Sequence, residues 1–281
     1  MGIERNAAAL LLKMRADGVH FGRLAMLGRQ NLHLDFDEYL QFLRRVGRPP
    51  ESALPEFAEG LLLALGATQV EAMDFSAYEG AALLHDMNQP VPPQWHQQYD
   101  VVFDGGTLEH VFNFPVAIRN CMELLKPGGR FVSATITNNW CGHGFYQFSP
   151  ELFFRLFGPD NGFCIIEMYL ANLRGRCYAV ADPASIKSRV ELCNGEPMFL
   201  LVHARRDAVC GIFSKTPQQS DYVANWSGGQ SRPDGIFPKA WKNRPVIRQL
   251  RQLRQHLLNR RRFRKMSLAN RQFFTPVELS I

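Results

Sequence analysis

Short apolar runs alternate with amphipathic stretches along residues 20–206, and that alternation predicts strands and helices in turn. RLAML (23–27) is an apolar run that stops at Gly28, as a buried strand entering a turn would. In DFDEYLQFLRRVG, Phe36, Tyr39, Leu40 and Leu43 recur at helical spacing, acidic residues lead, and Gly47 ends the pattern. Residues 53–66 form a second apolar helix ending at Gly66. TQVEAMD (68–74), AALLHD (81–86) and YDVVFDG (99–105) read as three strands. Residues 108–125 follow as a helix closed by the KPGG turn, where proline and two glycines stop the period. GRFVSATIT (129–137) is the next strand. Ser149, Pro150 and Glu151 open a further helix, with serine as cap and proline in the first turn. FCIIEMYLA (163–171) and PMFLLVHARR (197–206) close the series, separated by a polar excursion over 172–196. Strands alternating with helices predict an α/β domain built on a mostly parallel sheet.

The chain of 281 residues is 46% apolar and 21% charged, an ordinary globular balance. No apolar run approaches the ~20 residues that span a bilayer; the run at 61–65 is far too short. The N-terminal MGIERNAAALLLKM lacks a basic start and a small-residue cleavage site, so no secretory signal is expected. The six cysteines stand singly, without a C-x-x-C pair or zinc-ligand spacing. Reduced thiols, no metal and a cytoplasmic location are the expectation.

Charge divides the chain. Twelve basic and no acidic residues fall within 239–271, so the overall +6 leaves the remainder at −6. Beyond residue 207 serine, glutamine, glycine and proline dominate, and a basic segment follows. The expected organisation is a domain over 1–206, a linker over 207–238 and a basic helical tail over 239–281. In that tail Leu250, Leu253, Leu257 and Leu258 keep helical spacing among seven arginines. An anionic membrane surface, where each basic residue contributes about 1 kcal/mol, is the leading functional partner. Docking of the leucines on the acidic body, an acidic glycan and nucleic acid are the alternatives.

The most specific string is YDVVFDGGTLEHVFNFPVAIRNCMELLKPGGRFVSATITNN. It resembles the second half of class I S-adenosylmethionine-dependent methyltransferases, with an aspartate-ended strand, "LEH", a helix closing in "LLKPGG" and a strand "RFV". The resemblance covers roughly residues 20–206. It implies a Rossmann-like, seven-stranded, mostly parallel sheet with an antiparallel last strand, S-adenosyl-L-methionine as cofactor, and methyl transfer to a small molecule or glycan. Ligands of such sheets sit outside the carboxyl ends of the strands, where strand order reverses. On that likeness Asp74 would hold the ribose, Asp86 and Met87 would meet the adenine, and Asp104 and Gly105 would run beneath the methionine moiety.

The first loop departs from the pattern. Only Gly28 is kept where a glycine-rich turn is usual, with Arg29 and Gln30 in place of small residues. Their polar groups are expected to bind the amino-acid end of the cofactor, Arg29 by pairing with its carboxylate. The opposing reading is a scaffold that has lost the cofactor.

His110, inside "LEH", reads as a residue that holds the loop. His143 lies in NNWCGHGFYQF after the fifth strand, exposed by flanking glycines, with Trp140, Phe145 and Tyr146 as pocket walls. It is the expected catalytic residue, as general base or acceptor-orienting group. A nucleic-acid amino-methylating enzyme is disfavoured, because Asp104-Gly105-Gly106-Thr107 stands where an N-P-P-Y-like tetrad would.

Overall fold

The structure is a computed structural model that describes residues 2–227 and 265–281. Its strands are β1 (Gly2–Glu4), β2 (Gly22–Leu27), β3 (Asn31–His33), β4 (Ala67–Asp74), β5 (Leu83–Leu84), β6 (Tyr99–Asp104), β7 (Leu125–Ile136), β8 (Phe163–Asn172), β9 (Cys177–Val180), β10 (Met198–Arg206) and β11 (Phe274–Val277). The helices are α1 (Arg5–Ala16), α2 (Phe36–Arg45), α3 (Glu59–Ala64), α4 (Phe114–Leu124), α5 (Pro150–Leu156), α6 (Pro183–Ile186) and α7 (Ser220–Ser227).

Nine strands form the main sheet in the order β11-β9-β8-β10-β7-β6-β2-β4-β5. From β5 to β7 all neighbours are parallel, while β10 runs antiparallel between β7 and β8. The expected Rossmann-like α/β arrangement is therefore present, with β9 and β11 added beyond the seven expected strands. The chain leaves β2 toward β4 and β5 and returns to β6 on the other side. That reversal falls at the carboxyl ends of β2 and β6, where open α/β sheets hold their ligands in a crevice.

Both faces of the sheet are covered, and alternation along each strand divides the core in two. Leu24, Met26, Val101 and Phe103 pack with α1, α2 and α3, whereas Ala25, Leu27, Val102 and Phe131 pack with α4 and α5. α1 is the N-terminal apolar stretch that the sequence marked only as lacking signal features. Glu4 caps it by accepting from the Asn6 and Ala7 amides, and Ala8, Leu10, Leu11 and Met14 are buried.

The C-terminal expectation needs correction at its end. Residues 274–277 form strand β11, antiparallel to β9, with Phe273 and Phe274 buried in the core. A phenylalanine pair followed by Thr275 and Val277 suits a half-buried edge strand, a sheet position that tolerates Pro276, better than a solvated helix. Within the expected linker, Ile212 is buried and α7 forms. The leucine- and arginine-rich stretch 239–264 lies outside the described residues. Among the described residues no helix is long and apolar enough to cross a membrane. All six cysteines are free thiols.

One buried charge cluster sets a pH-dependent part of the stability. Glu167 on β8 faces His203 Nδ1 at 3.0 Å, the Tyr169 hydroxyl at 2.5 Å and Lys13 Nζ at 2.9 Å. Burial alone would raise its pKa, but the bonds from His203, Tyr169 and Lys13 win and hold it at about 2. A depressed folded pKa adds stability above the unfolded value of 4.5 and loses it as pH falls toward 2. Glu167→Gln is expected to cost on the order of 3 kcal/mol at pH 7 and to flatten that acid arm. Urea unfolding from pH 7 down to pH 3 checks both; parallel profiles for the two proteins would contradict it.

Candidate active site at the carboxyl edge of the sheet

At the end of β2 the chain turns through Gly28, whose φ of 64° is left-handed and whose amide donates to Met73 O at 2.7 Å. Arg29 is drawn sideways. Its Nε donates to Glu59 Oε1 at 2.6 Å, its Nη1 to Glu79 O at 2.7 Å, and its guanidinium lies 3.8 Å from the Phe57 ring centroid. Gln30 turns inward and is fully buried. Its amide nitrogen donates to Leu27 O and to Thr107 Oγ1, and its Oε1 has no hydrogen-bond partner. This side chain lies against Gly105: a Cβ there would come 2.6 Å from Gln30 Oε1. Gly105 is therefore small because Gln30 is large. On the same side the Gly2 amide donates to Gly105 O at 3.1 Å, and β1 pairs with β3.

Asp74 ends β4, with its Oδ1 accepting from the Ser76 amide at 3.1 Å. Its neighbour in register, Leu84 on β5, leads two residues later to Asp86. Asp86 Oδ1 accepts from the Asn88 amide and side chain, and those bonds hold its carboxyl below the ordinary range. Met87 beside it is buried. Asp104 points into the scaffold, accepting from Ser133 Oγ at 2.7 Å and from the Thr107 and Leu108 amides. Its part in the site is to pin the Gly105–Gly106 backbone, where Gly106 has a φ of 95°.

On the β7 side a second group gathers. The short helical turn at Leu108–His110 supplies Glu109 and His110, and the loop after β7 supplies His143. Glu109 is buried, with its Oε2 accepting from Thr135 Oγ1 at 2.9 Å. Burial first, then the neighbouring Asp104, pushes its carboxyl up to about 7. The His110 and His143 rings lie 5.3 Å apart, and Trp140 flanks His143 at 5.4 Å. Desolvation of its ring, followed by His143 beside it, holds His110 below its ordinary value. Phe145 and Phe112 meet edge-to-face at 5.9 Å, and both are about 70% exposed (68% and 73%).

The fold thus sets two groups along one edge. Asp74, Asp86 and Met87 lie on the β4–β5 side, Gln30 and Gly105 in the crevice, and His110 and His143 on the β7 side. β4 and β7 are three strand spacings apart, roughly 14 Å. Glu109 was missed in the sequence. Its signal was a carboxylate between Leu108 and His110 in an otherwise apolar block, which burial makes unusual.

No family model and no curated protein matches the chain. Among solved structures it is similar to the N-methyltransferase NodS from Bradyrhizobium japonicum, at 11% identity over 72% of this chain and 94% of that one, with a TM-score of 0.39. It is also similar to the cyclase SpnF, at 16% identity over 73% and 82% of the two chains, with a TM-score of 0.41. The order of its sheet, with β10 antiparallel between β7 and β8, gives the chain the fold of the class I S-adenosylmethionine-dependent methyltransferases.

Proposed function

We propose that the chain binds S-adenosylmethionine across the carboxyl ends of β5, β4, β2 and β6 and methylates an oxygen of a small molecule or glycan on the β7 side. The observation that carries this is the free acceptor set along one edge. Asp74 accepts one backbone bond and has a carboxylate oxygen left for ribose hydroxyls. Asp86 presents its second oxygen toward an amino group, and the buried, unpartnered Gln30 Oε1 suits an ammonium. These acceptors fit the hydroxyl and amino donors of the nucleoside and the ammonium. Arg29, engaged by Glu59 and Glu79, supplies nothing to the carboxylate as it stands.

When bound, the cofactor supplies an electrophilic methyl group. The chain's own work is alignment and the exclusion of water. Exposed Phe112 and Phe145, with Trp140, wall the acceptor side, and His143 orients the acceptor hydroxyl. Calorimetric titration with S-adenosylmethionine and S-adenosylhomocysteine tests the reading. Heat at one equivalent supports it, and absence of heat leaves the scaffold. The scaffold reading has its own observation, since Gln30 and the Gly2 amide already occupy the crevice against Gly105.

With an acceptor in hand, His143→Ala is expected to reduce turnover by roughly 10²–10⁴-fold. Affinity for S-adenosylhomocysteine should stay within about twofold, because His143 stands on the far side of the crevice from Asp74. Parallel kinetics and calorimetry on the variant check the split; an equal loss in both would place His143 with the cofactor.

A further inference from the structure

We propose that Glu109, His110 and His143 form a binding site for a first-row transition-metal dication of the Zn²⁺ and Fe²⁺ class. One ligand atom from each of the three lies within 4.8 Å of the others. A dication with bonds of about 2.0–2.2 Å holds its ligands about 3–3.5 Å apart, so the widest pair must close by about 1.3–1.8 Å. Both imidazoles are exposed and can turn to do so. Among the described residues neither ring makes a hydrogen bond to a protein group, so nothing has to be broken.

The surrounding chain is arranged to bring the three together. Glu109 and His110 follow β6 and His143 follows β7, so adjacent parallel strands deliver them to one edge. The Glu109 carbonyl accepts from the Phe145 and Tyr146 amides at 2.9 and 3.2 Å, clamping the β7 loop onto the Leu108–His110 turn. Gly144 allows that approach, since a Cβ there would come 2.9 Å from Glu109 O. Thr135 Oγ1 fixes the carboxylate from behind, the usual outer-shell orientation of a metal-binding carboxylate. Two imidazoles and one carboxylate favour Zn²⁺, Fe²⁺, Co²⁺ or Ni²⁺ over Mg²⁺ and Ca²⁺, which want oxygen ligands throughout. Three protein ligands leave open positions for water or a further ligand.

The inference is independent of the methyl-transfer reading, because the metal alone is the probe. The full chain, stripped with chelator, is titrated with Zn²⁺ by calorimetry and with Co²⁺ by visible absorption. One equivalent is expected, with Co²⁺ ligand-field bands free of thiolate charge transfer, and with a hundredfold excess of Mg²⁺ failing to compete. His110→Ala and His143→Ala replace exposed side chains, so their folding is secure and they decide the matter. Each should weaken Zn²⁺ binding by roughly 100-fold and remove the ligand-field bands. Glu109→Gln should do the same if its melting temperature matches the parent. Lack of stoichiometric binding, thiolate charge transfer from the exposed Cys141 or Cys193, or unchanged affinity in both histidine variants would overturn the site. Failure to bind S-adenosylhomocysteine would overturn the methyl-transfer reading alone.

Discussion

Asp74→Ala is expected to weaken binding of S-adenosylhomocysteine by about 100-fold, or ~3 kcal/mol. A carboxylate at the end of β4 can accept from both ribose hydroxyls, and charge-assisted bonds contribute roughly 1.5–3 kcal/mol each. The substitution leaves the fold alone, because the side chain makes one internal bond, to the Ser76 amide, at a half-buried position. Calorimetry on parent and variant reads the effect directly. Equal affinities, with equal melting temperatures, would remove the ribose role from Asp74. The same experiment on Asp86→Ala is less informative, since that carboxylate also organises the Asn88 turn.

The largest expected effect on stability comes from the far end of the chain. Phe274 is fully buried on β11, among the side chains that pack beneath α4 and α5. Phe274→Ala should cost about 3–5 kcal/mol, through lost transfer energy and the cavity left behind. At this chain length that corresponds to a melting temperature lower by roughly 10 °C. A variant that melts with the parent would mean that β11 contributes nothing to the sheet. The outcome separates a C-terminal segment integrated into the domain from one that merely trails it.

How much of this was legible depended on whether the signal was local. β2, β6 and β10 stood out because they are buried on nearly every position and read as apolar runs, whereas β4 and β5 keep exposed positions and were marked by the aspartates at or just past their ends. β5 kept only two residues in register with β4, so AALLHD overstated it. The helix expected over 108–125 breaks at Val111 to Asn113, where the chain leaves one helical turn before α4 starts with Pro115 in its first turn. β1, β3, β9 and β11 are three or four residues long, too short for a local period; β1 and β11 also find their partners β3 and β9 across long sequence distances.

The site divides the same way. Asp74 at the end of β4 and Asp86, two residues past β5, could be located from the strands that lead to them. What Arg29 and Gln30 do could not, because it depends on Glu59, Glu79 and Gly105, which the fold brings in from elsewhere. Nor does a spacing of 33 residues between His110 and His143 announce a shared position. Only the parallel pairing of β6 with β7 makes them neighbours.

The pairing of β11 with β9 also has a bearing on the order of folding. About 90 residues separate Val180 from Phe274, so this contact closes a long loop and comes late, after the local hairpin of β8 and β9. Until it closes, β9 presents an open edge able to template pairing with another chain. During synthesis that edge waits until residues 274–277 have emerged. A slow step in refolding that protects the β9 amides from hydrogen exchange, and a concentration-dependent loss of yield before it, belong to that interval.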